Sequence, residues 1–310
     1  MSAILRFLFL CAIVAIAPAR AQDASGMRAV QVSPHAWYVQ GASALGSKAN
    51  RNFISNAGFV VTQAGVIVID ALGSPAMARE LLATIRTITP QPVTLVILTH
   101  YHADHVYGAQ VFRRAGATIV AHALGRDYLG SETARLRLKA SIDDGLTEPG
   151  TQVVGADTWL SGSASFELGG TRFEAMAVGP AHTVEDLAVW FPDEGVLFSG
   201  DLVFRGRVPY VGDADSRRWI DSLDRLLALP ATVIVPGHGP HSSAPRADLQ
   251  LTRDYLAWLR QAMGKAAREL TPFDEAYEAT DWSRFEALPL FKQANRMNAY
   301  NTYLLMEQEK

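Results

Sequence analysis

Residues 99–105 of this chain read Thr-His-Tyr-His-Ala-Asp-His, a run in which four of the seven side chains can bind a metal ion. The run follows the apolar segment 93–98, which is typical of a buried strand, and leads into the helical pattern of residues 104–114. Loops that follow a strand are where α/β proteins place their sites. In an extended loop His100 and His102 point the same way, because side chains alternate with a period of two. Asp104 and His105 then turn onto the start of the helix, so this one segment predicts ligands for two metal ions.

Three further metal-capable residues lie behind apolar, strand-like runs. His182 stands in Gly-Pro-Ala-His-Thr, Asp201 in Phe-Ser-Gly-Asp and His238 in Val-Pro-Gly-His-Gly-Pro. Each is predicted on a turn immediately beyond a strand. A single His or Asp in such a place is ordinarily a surface or turn residue. The repeated coincidence favours one shared metal site.

The pattern of apolar residues predicts two halves, each of strands followed by a helix and a further strand. The first half is an expected antiparallel meander, a helix, a strand, the helix after it and another strand, at residues 30–32, 37–39, 56–62, 65–70, 74–89, 93–98, 104–114 and 118–121. A surface helix is expected over 131–142, and the second half has strands at 158–160, 165–168, 171–178, 187–191 and 196–198, a helix over 216–229 and a strand over 232–235. Two such halves favour two sheets packed face to face with helices outside. Residues 246–310, with an amphipathic run over 249–267, predict a helical extension.

The first 21 residues have the pattern of a secretory signal. Arg6 precedes an apolar run, and Ala19-Arg20-Ala21 forms a small-residue cleavage site. The apolar run is shorter than the ~20 residues that a membrane span needs. We therefore predict a periplasmic or secreted protein with no membrane span after cleavage. Cleavage would also remove Cys11, the only cysteine, which excludes disulfides, a cysteine nucleophile and thiolate ligands.

The composition narrows the classes of partner. The chain has 310 residues, of which 49% are hydrophobic and 19% charged, so it can bury a large core and is not disordered. Its 28 basic and 31 acidic side chains nearly balance, and no basic run is long enough to follow a nucleic acid. A small-molecule substrate is the expected partner, and the oligomeric state is left open.

The order of the motifs carries a family resemblance. His-x-His-x-Asp-His, then Gly-x-x-His-Thr, then Gly-Asp after an apolar strand, then Pro-Gly-His-Gly resembles the metallo-β-lactamase superfamily. The resemblance covers about residues 28–245 and implies a hydrolase domain of the α/β class, an αββα four-layer sandwich with a two-metal site at the edge of the sheets. It also implies the ligand sets: the first metal takes His100, His102 and His182, the second takes Asp104, His105 and His238, and Asp201 bridges them.

The chemistry of these side chains agrees with that resemblance. Imidazole and carboxylate ligands without thiolate suit zinc, so two Zn²⁺ are expected, with iron as the alternative. Two ions roughly 3.5–4 Å apart share a water, lower its pKa towards 7 and supply hydroxide at neutral pH. We expect such a hydroxide to attack an amide, lactam or ester-type bond, with Asp104 and Asp201 as catalytic residues.

Three residues beside the ligands are candidates for supporting roles. Asp70 closes Val-Ile-Val-Ile-Asp as the family's first motif does, which implies that it orients a histidine or the metal loop; an ordinary strand-end turn is the alternative. Tyr101 and Arg205 lie near the ligands in sequence and are candidates for lining the substrate cleft.

Different parts of the sequence resemble different members of the superfamily. Residues 182–203 are similar to zinc β-lactamases of the first subclass, but Asp201 replaces their cysteine and Phe204 the lysine that would hold the antibiotic's carboxylate, with Arg205 next door as a substitute. Asp201 is instead the pattern of the wider family, including glyoxalase II-type thioesterases. The signal and the tail resemble exported metallohydrolases of quinoprotein or sulfur-oxidation systems. A persulfide dioxygenase uses a similar loop with one iron, whereas the complete second ligand set favours a two-metal hydrolase.

Overall fold

The computed structural model describes residues 26–212 and 214–309, so the predicted signal segment lies outside the described residues. The first sheet has its strands in chain order: β1 (Ala29–Gln31), β2 (Ala36–Val39), β3 (Ala57–Thr62), β4 (Gly65–Ile69), β5 (Val93–Ile97), β6 (Thr118–His122) and β7 (Thr158–Leu160). β1 to β4 pair antiparallel, as the meander predicts, and β4 to β7 pair parallel. The mixed sheet brings the carboxyl ends of β4, β5 and β6 to one edge.

Helices cover the outer face of this sheet. They are α1 (Pro75–Ile88), α2 (Ala103–Val106), α3 (Ala109–Arg114), α4 (Gly125–Leu129) and α5 (Glu132–Asp143). Ser74 caps α1 by accepting a hydrogen bond from the Met77 amide at 3.2 Å, and Pro75 occupies the first turn, both as the sequence predicts. The apolar face of α1, with Met77, Leu81 and Ile85, is buried against the sheet.

The second sheet has the order β12 (Val233–His238), β11 (Val196–Phe204), β10 (Leu187–Phe191), β9 (Thr171–Ala177) and β8 (Ala164–Leu168). β8 to β11 are antiparallel neighbours, and β12 runs parallel to β11. Its inner face packs on the first sheet through a core that includes Ile67, Val189 and Phe198. Strand-end loops from both sheets therefore meet at one edge of the sandwich.

The outer face of the second sheet is covered by α6 (Ser216–Leu227), α7 (Pro245–Glu269), α8 (Phe273–Ala279) and α9 (Phe291–Gln308). Trp219, Tyr255 and Leu256 lie in one buried cluster with strand residues such as Leu197 and Leu202. The fold is thus an αββα four-layer sandwich with C-terminal helices, as the resemblance implies. Within residues 26–212 and 214–309, none of the helices combines the length and apolar character of a membrane-spanning segment.

Three elements differ from the predictions. The single helix expected over 104–114 is broken at Tyr107 and Gly108 into α2 and α3. The break brings Gly108 so close to the first sheet that a Cβ there would lie 1.9 Å from the Ala71 carbonyl oxygen. The strand at 158–160, assigned to the second half, pairs with β6 as the last strand of the first sheet. The short helix α4 has no counterpart among the predicted elements.

Strand β11 is longer than the predicted segment 196–198. It continues to Phe204 because β12 keeps pairing with it through register shifts on either side of Gly200. Asp201, predicted on a turn beyond the strand, therefore lies inside an irregular stretch of β11. The polar Ser-Gly-Asp sequence has the composition of a turn, but here it marks a bulge.

Candidate metal centre

The loop after β5 and the first turn of α2 carry four of the predicted ligands. His100 and His105 are buried, at 2% and 0% exposure, whereas His102 and Asp104 are half-buried and reach an open cleft. Ser55 Oγ donates to the backbone carbonyl of Asp104 at 2.5 Å and braces this loop.

The other three ligands come from the second sheet. His182 lies between β9 and β10, Asp201 within β11, and His238 at the end of β12. The strand ends approach closely, since a Cβ on Gly237 would lie 2.0 Å from Asp201 Oδ1. The first glycine of the Pro-Gly-His-Gly motif is therefore required, because any side chain at position 237 would clash with the Asp201 carboxylate.

The seven side chains form two clusters. His100, His102, His182 and Asp201 make up one, and Asp104, His105 and His238 the other; within each, the potential ligand atoms lie within 4.8 Å of one another. Nδ1 of His102 is 3.1 Å from Nε2 of His100 and 3.0 Å from Nε2 of His182. In the second cluster, Asp104 Oδ2 is 3.6 Å from His105 Nε2 and 3.4 Å from His238 Nε2.

Asp201 lies between the two clusters. Its Oδ2 is 3.8 Å from His100 Nε2 and 3.5 Å from His182 Nε2. Its carboxylate also lies 3.2 Å from His105 Nε2 through Oδ1 and 3.3 Å from His238 Nε2 through Oδ2. One carboxylate therefore faces imidazoles of both clusters, which is the placement of a bridging ligand.

Hydrogen bonds on the far side of the rings fix their orientation. His105 Nδ1 lies 2.8 Å from Asp70 Oδ2, and His238 Nδ1 lies 2.7 Å from the Ile54 carbonyl oxygen. His100 Nδ1 lies 2.9 Å from the Thr99 hydroxyl, which itself donates to Asp70 Oδ2. Rings held at Nδ1 present Nε2 to the centre, as metal-binding histidines usually do.

Burial and nearby charges shift the histidine pKa values of the two clusters in opposite directions. Desolvation lowers the pKa of His102 to about 4 and that of His182 to about 3, so both rings are neutral at pH 7. Burial also lowers the pKa of His238, but Asp201 and Asp104 outweigh it and raise the pKa to about 9. Metal binding at the second cluster must therefore displace a proton.

Two buried atoms of the centre face each other without a hydrogen bond. His105 Nε2 and Asp201 Oδ1 are both buried and lie 3.2 Å apart, but neither atom has a hydrogen-bond partner. Leaving such groups unsatisfied costs about 1–3 kcal/mol each. Ligands about 2.0–2.1 Å from one tetrahedral ion lie roughly 3.3 Å apart, similar to the separations found here. The nitrogen and oxygen donors of the two clusters fit two divalent ions.

Of the three candidates for supporting roles, only Asp70 has the role that was expected of it. Asp70 contacts His105 and accepts a hydrogen bond from the Thr99 amide at 2.8 Å, so it touches the metal loop. The Tyr101 ring stacks on Tyr128 at 3.8 Å and is not among the cleft-lining side chains. Arg205 turns to α7, where its Nε donates to Asp248 Oδ1 at 2.9 Å, and it too is absent from the cleft lining.

Several residues of the cleft were not found by sequence reasoning. Arg137 of α5, and Arg207 and Tyr210 of the loop after β11, line a cleft of about 270 Å³ with His102 and Asp104. Glu185 also escaped notice; it holds the metal loop by accepting a hydrogen bond from the Tyr101 amide at 2.9 Å. No local motif marks them, because their placement depends on long-range packing.

Comparison with known proteins gives the family of this arrangement. The family model described as "Metallo-beta-lactamase superfamily" matches residues 50–238. A solved structure, a metallo-beta-lactamase from Pontibacter korlensis, aligns with a TM-score of 0.59 and 27% identity over 74% of this chain and 99% of that one.

Three curated relatives match this chain over only part of their own length. The 2,4-dinitroanisole O-demethylase subunit alpha of Nocardioides sp. is 33% identical over 56% of this chain and 49% of its own length. The linear primary-alkylsulfatase of a Pseudomonas species is 25% identical over 69% of this chain and 47% of its own length. The metallo-beta-lactamase type 2 of a Bacillus species is 27% identical over 60% and 66%. The chain thus spans about half the length of the first two.

Proposed function

This chain belongs to the metallo-beta-lactamase superfamily, and from that premise we propose that it is an exported, binuclear zinc hydrolase acting on an amide, lactam or ester-type bond of a small molecule. That it is a metal-dependent hydrolase follows from the family and its His and Asp clusters. The metal, bond, substrate and export are the proposed parts.

One observation carries the two-metal proposal. The Asp201 carboxylate lies 3.2–3.8 Å from imidazole nitrogens of both clusters. A site built for one ion would not need Asp104, His105 and His238 to converge beside the first cluster. This supports a two-metal hydrolase over a single-iron dioxygenase.

The side chains have separable tasks in the reaction. The histidines and Asp201 would hold the ions, which when bound lower the pKa of a water and polarise the bond to be cleaved. Asp70 and Thr99 keep the rings of His105 and His100 in place. Asp104 lines the cleft, and its Oδ2, which lies 3.4 Å from His238 Nε2, would hold an ion of the second cluster. The apolar ring of Phe204, stacked on His238 at 5.0 Å, limits water on that side.

Within this class we favour an ester-type bond over a lactam. Phe204 stands where the resembling lactamases have a lysine, and Arg205 is paired with Asp248 rather than turned to the cleft. Two of the relatives are named for an O-methyl group and for alkyl sulfates. These features support an oxygen ester or thioester as the substrate.

The proposal is tested by metal content and turnover together. We expect about two zinc ions per chain by plasma mass spectrometry, and hydrolysis of a 4-nitrophenyl ester or a glutathione thioester that a chelator abolishes and zinc restores. Turnover of a penicillin instead would make the enzyme a lactamase. A single iron without hydrolysis of any of the three would overturn the proposal.

A ligand substitution adds a matched test. His102→Ala removes a nitrogen that faces two other imidazoles, so we expect turnover to fall by at least ~10³-fold, with the protein still folded. His35→Ala is the control, because His35 is exposed and pairs with Glu194 away from the cleft. Full activity of the His102 variant would exclude this centre.

A further inference from the structure

Asn56 is a buried asparagine that connects the first sheet to the second at the edge where the metal ligands lie. It is 3% exposed and immediately precedes β3. Its Nδ2 donates two hydrogen bonds, to the carbonyl oxygens of Pro236 and Gly239, each at 2.7 Å. Its Oδ1 accepts one from the Gly41 amide at 3.1 Å. Because backbone carbonyls can only accept, the orientation of the amide is determined and both of its N–H groups are used.

The acceptors of Asn56 surround the ligand His238. Besides the two side-chain bonds, the backbone amide of Asn56 donates to the Gly237 carbonyl oxygen at 2.7 Å. The carbonyl of His238 itself accepts a hydrogen bond from the Arg205 amide at 2.9 Å. Asn56 therefore holds three of the four backbone carbonyls of residues 236–239.

Strand pairing alone does not fix this end of β12. The strand pairs with β11 at Pro236 and again at His238, but between these positions the partner on β11 moves from Gly200 to Phe204. Such a register shift interrupts the ladder and leaves backbone groups without their regular partners. Buried carbonyls need donors from elsewhere, and Asn56 supplies them.

The second metal cluster depends on this contact because its ligands come from both sheets. Two of them lie on α2, beside the first sheet, whereas His238 ends β12 of the second. The neighbours of Asn56 touch both sides: Ser55 Oγ donates to the Asp104 carbonyl oxygen, and the Ile54 carbonyl oxygen lies 2.7 Å from His238 Nδ1. In the described part of the chain, no hydrogen bond joins residues 54–56 to the three histidines of the first cluster.

We propose that Asn56 is a positioning residue for the second metal ion, which holds His238 within reach of Asp104 and His105 by fixing the backbone of residues 236–239. Its side chain bonds only backbone groups, so it acts through His238 and is not a ligand. The inference rests on the proposed binuclear hydrolase and gives a task to a residue outside the ligand set. Loss of its N–H groups should weaken the binding of one ion and leave the other unchanged.

Asn56→Asp tests the two donors at nearly constant shape. Aspartate keeps an oxygen for the Gly41 amide, but its second oxygen faces the carbonyl oxygens of Pro236 and Gly239, where repulsion replaces two hydrogen bonds. We expect the affinity for one zinc ion to fall by about 10- to 100-fold and that for the other to stay within about twofold. Competition with a chromophoric chelator measures both affinities, and native mass spectrometry counts the ions per chain.

Asn50→Asp is the matched control in the segment before β3. Asn50 Nδ2 donates to the Leu45 carbonyl oxygen at 2.8 Å and its Oδ1 accepts from nearby amides, so the same chemical change falls on backbone that carries no ligand. We expect both zinc affinities to be unchanged. Asn56→Ser keeps one hydroxyl donor and should show a smaller loss of the same ion, and this variant decides the matter if Asn56→Asp does not fold.

Spectra of the histidine rings identify the ion that is lost. Proton–nitrogen correlation spectra of the zinc-loaded wild type report the ring of His238, whose signals are assigned with His238→Ala. At a zinc concentration that fills only the tighter site of Asn56→Asp, we expect His238 to have the chemical shifts of a metal-free ring. The rings of His100, His102 and His182 should keep the shifts of bound rings. A merely structural role of Asn56 would move both sets.

The outcomes separate this inference from the proposed function. Wild-type affinity for both ions in the Asn56 variants, or an equal loss of both, overturns the positioning role even when the enzyme hydrolyses an ester. Selective loss of the ion at His238, with no hydrolysis of any tested substrate by the wild type, leaves the positioning role standing and overturns the hydrolase proposal. A wild-type chain that binds a single ion overturns both.

Discussion

Asp70 links the end of β4 to the metal loop through one buried carboxylate. Its Oδ2 lies 2.8 Å from His105 Nδ1 and 2.9 Å from the Thr99 hydroxyl, which touches His100 in turn. The residue adopts a left-handed backbone conformation with φ of 62°. Aspartate and asparagine tolerate this conformation better than other non-glycine residues.

Asp70→Asn should therefore weaken metal binding without unfolding the protein. Asparagine keeps the shape and the backbone preference but loses the charge that fixes the His105 tautomer. We expect metal affinity to fall by about 10- to 100-fold, measured by competition with a chromophoric chelator. Asp193→Asn, at an exposed carboxylate paired with Arg172, is the control. Equal metal affinity in the two variants would show that Asp70 has only a structural role in the turn after β4.

Glu185 makes a pH-dependent contribution to stability. It is 3% exposed, and burial raises its pKa from 4.5 to about 7 despite the hydrogen bond from the Tyr101 amide. Between these pH values the unfolded chain has lost the proton while the folded protein keeps it. Folding stability from this group therefore falls as pH rises from about 4.5 to 7 and is constant above.

Glu185→Gln removes this titration while preserving an oxygen for the Tyr101 amide. We expect the variant and the wild type to be equally stable near pH 4.5, and the variant to be more stable at pH 8 by up to about 3 kcal/mol. Urea unfolding of the metal-free proteins at both pH values measures the difference. The exposed Glu167→Gln serves as the control. A stability gap that does not widen with pH would contradict a raised pKa.

Helix α9 fixes the loop that carries Arg207 and Tyr210. Asn298 is fully buried, accepts a hydrogen bond from the Val211 amide at 3.0 Å and donates to the Pro209 carbonyl at 2.7 Å. Asn301 donates to the Gly212 carbonyl at 2.7 Å. The C-terminal helices thus position one wall of the cleft.

Asn298→Ala should loosen this wall. The substitution leaves two backbone groups unpaired, at about 1–3 kcal/mol each, so we expect lower stability and faster amide hydrogen exchange over residues 208–212. The KM for a cleft-bound ester should rise more than kcat falls, because the metal ligands are untouched. Gln293→Ala, on the exposed side of α9, is the control. Unchanged exchange in the loop would show that α9 does not hold it.

Local patterns predicted the elements that local interactions determine. The cap at Ser74 and the antiparallel pairing of β3 with β4 depend on near neighbours, and both were predicted. The extension of β11 through Asp201 depends on pairing with β12, so a three-residue window of Ser-Gly-Asp could not reveal it. The same limit applies to Arg205 and Arg207: Asp248, more than forty positions along the chain, decides which of them pairs away from the cleft.

The four layers explain why the motifs were more informative than the rest of the chain. All seven ligands follow or interrupt strands, and the sandwich brings those strand ends to one edge. The tail was expected as an extension beyond a domain ending at 245, a boundary that stays a prediction. Its first helix buries Leu249, Leu256 and Leu259 in the same cluster as Trp219 of α6. Helix α7 is therefore part of the outer layer on the second sheet.

This packing predicts different results for two truncations. A chain ending at residue 244 loses α7, α8 and α9. The buried Leu249, Leu256, Leu259 and Met263 of α7 contribute about 1.5–3 kcal/mol each, so the loss is comparable to a typical total stability of about 5–15 kcal/mol. We expect this chain to lack a cooperative thermal transition and to expose apolar surface. A chain ending at residue 270 keeps α7 and loses α8 and α9, so it should unfold cooperatively at a lower Tm. Calorimetry and dye binding distinguish them, and cooperative unfolding of the shorter chain would establish residues up to 244 as an independent domain.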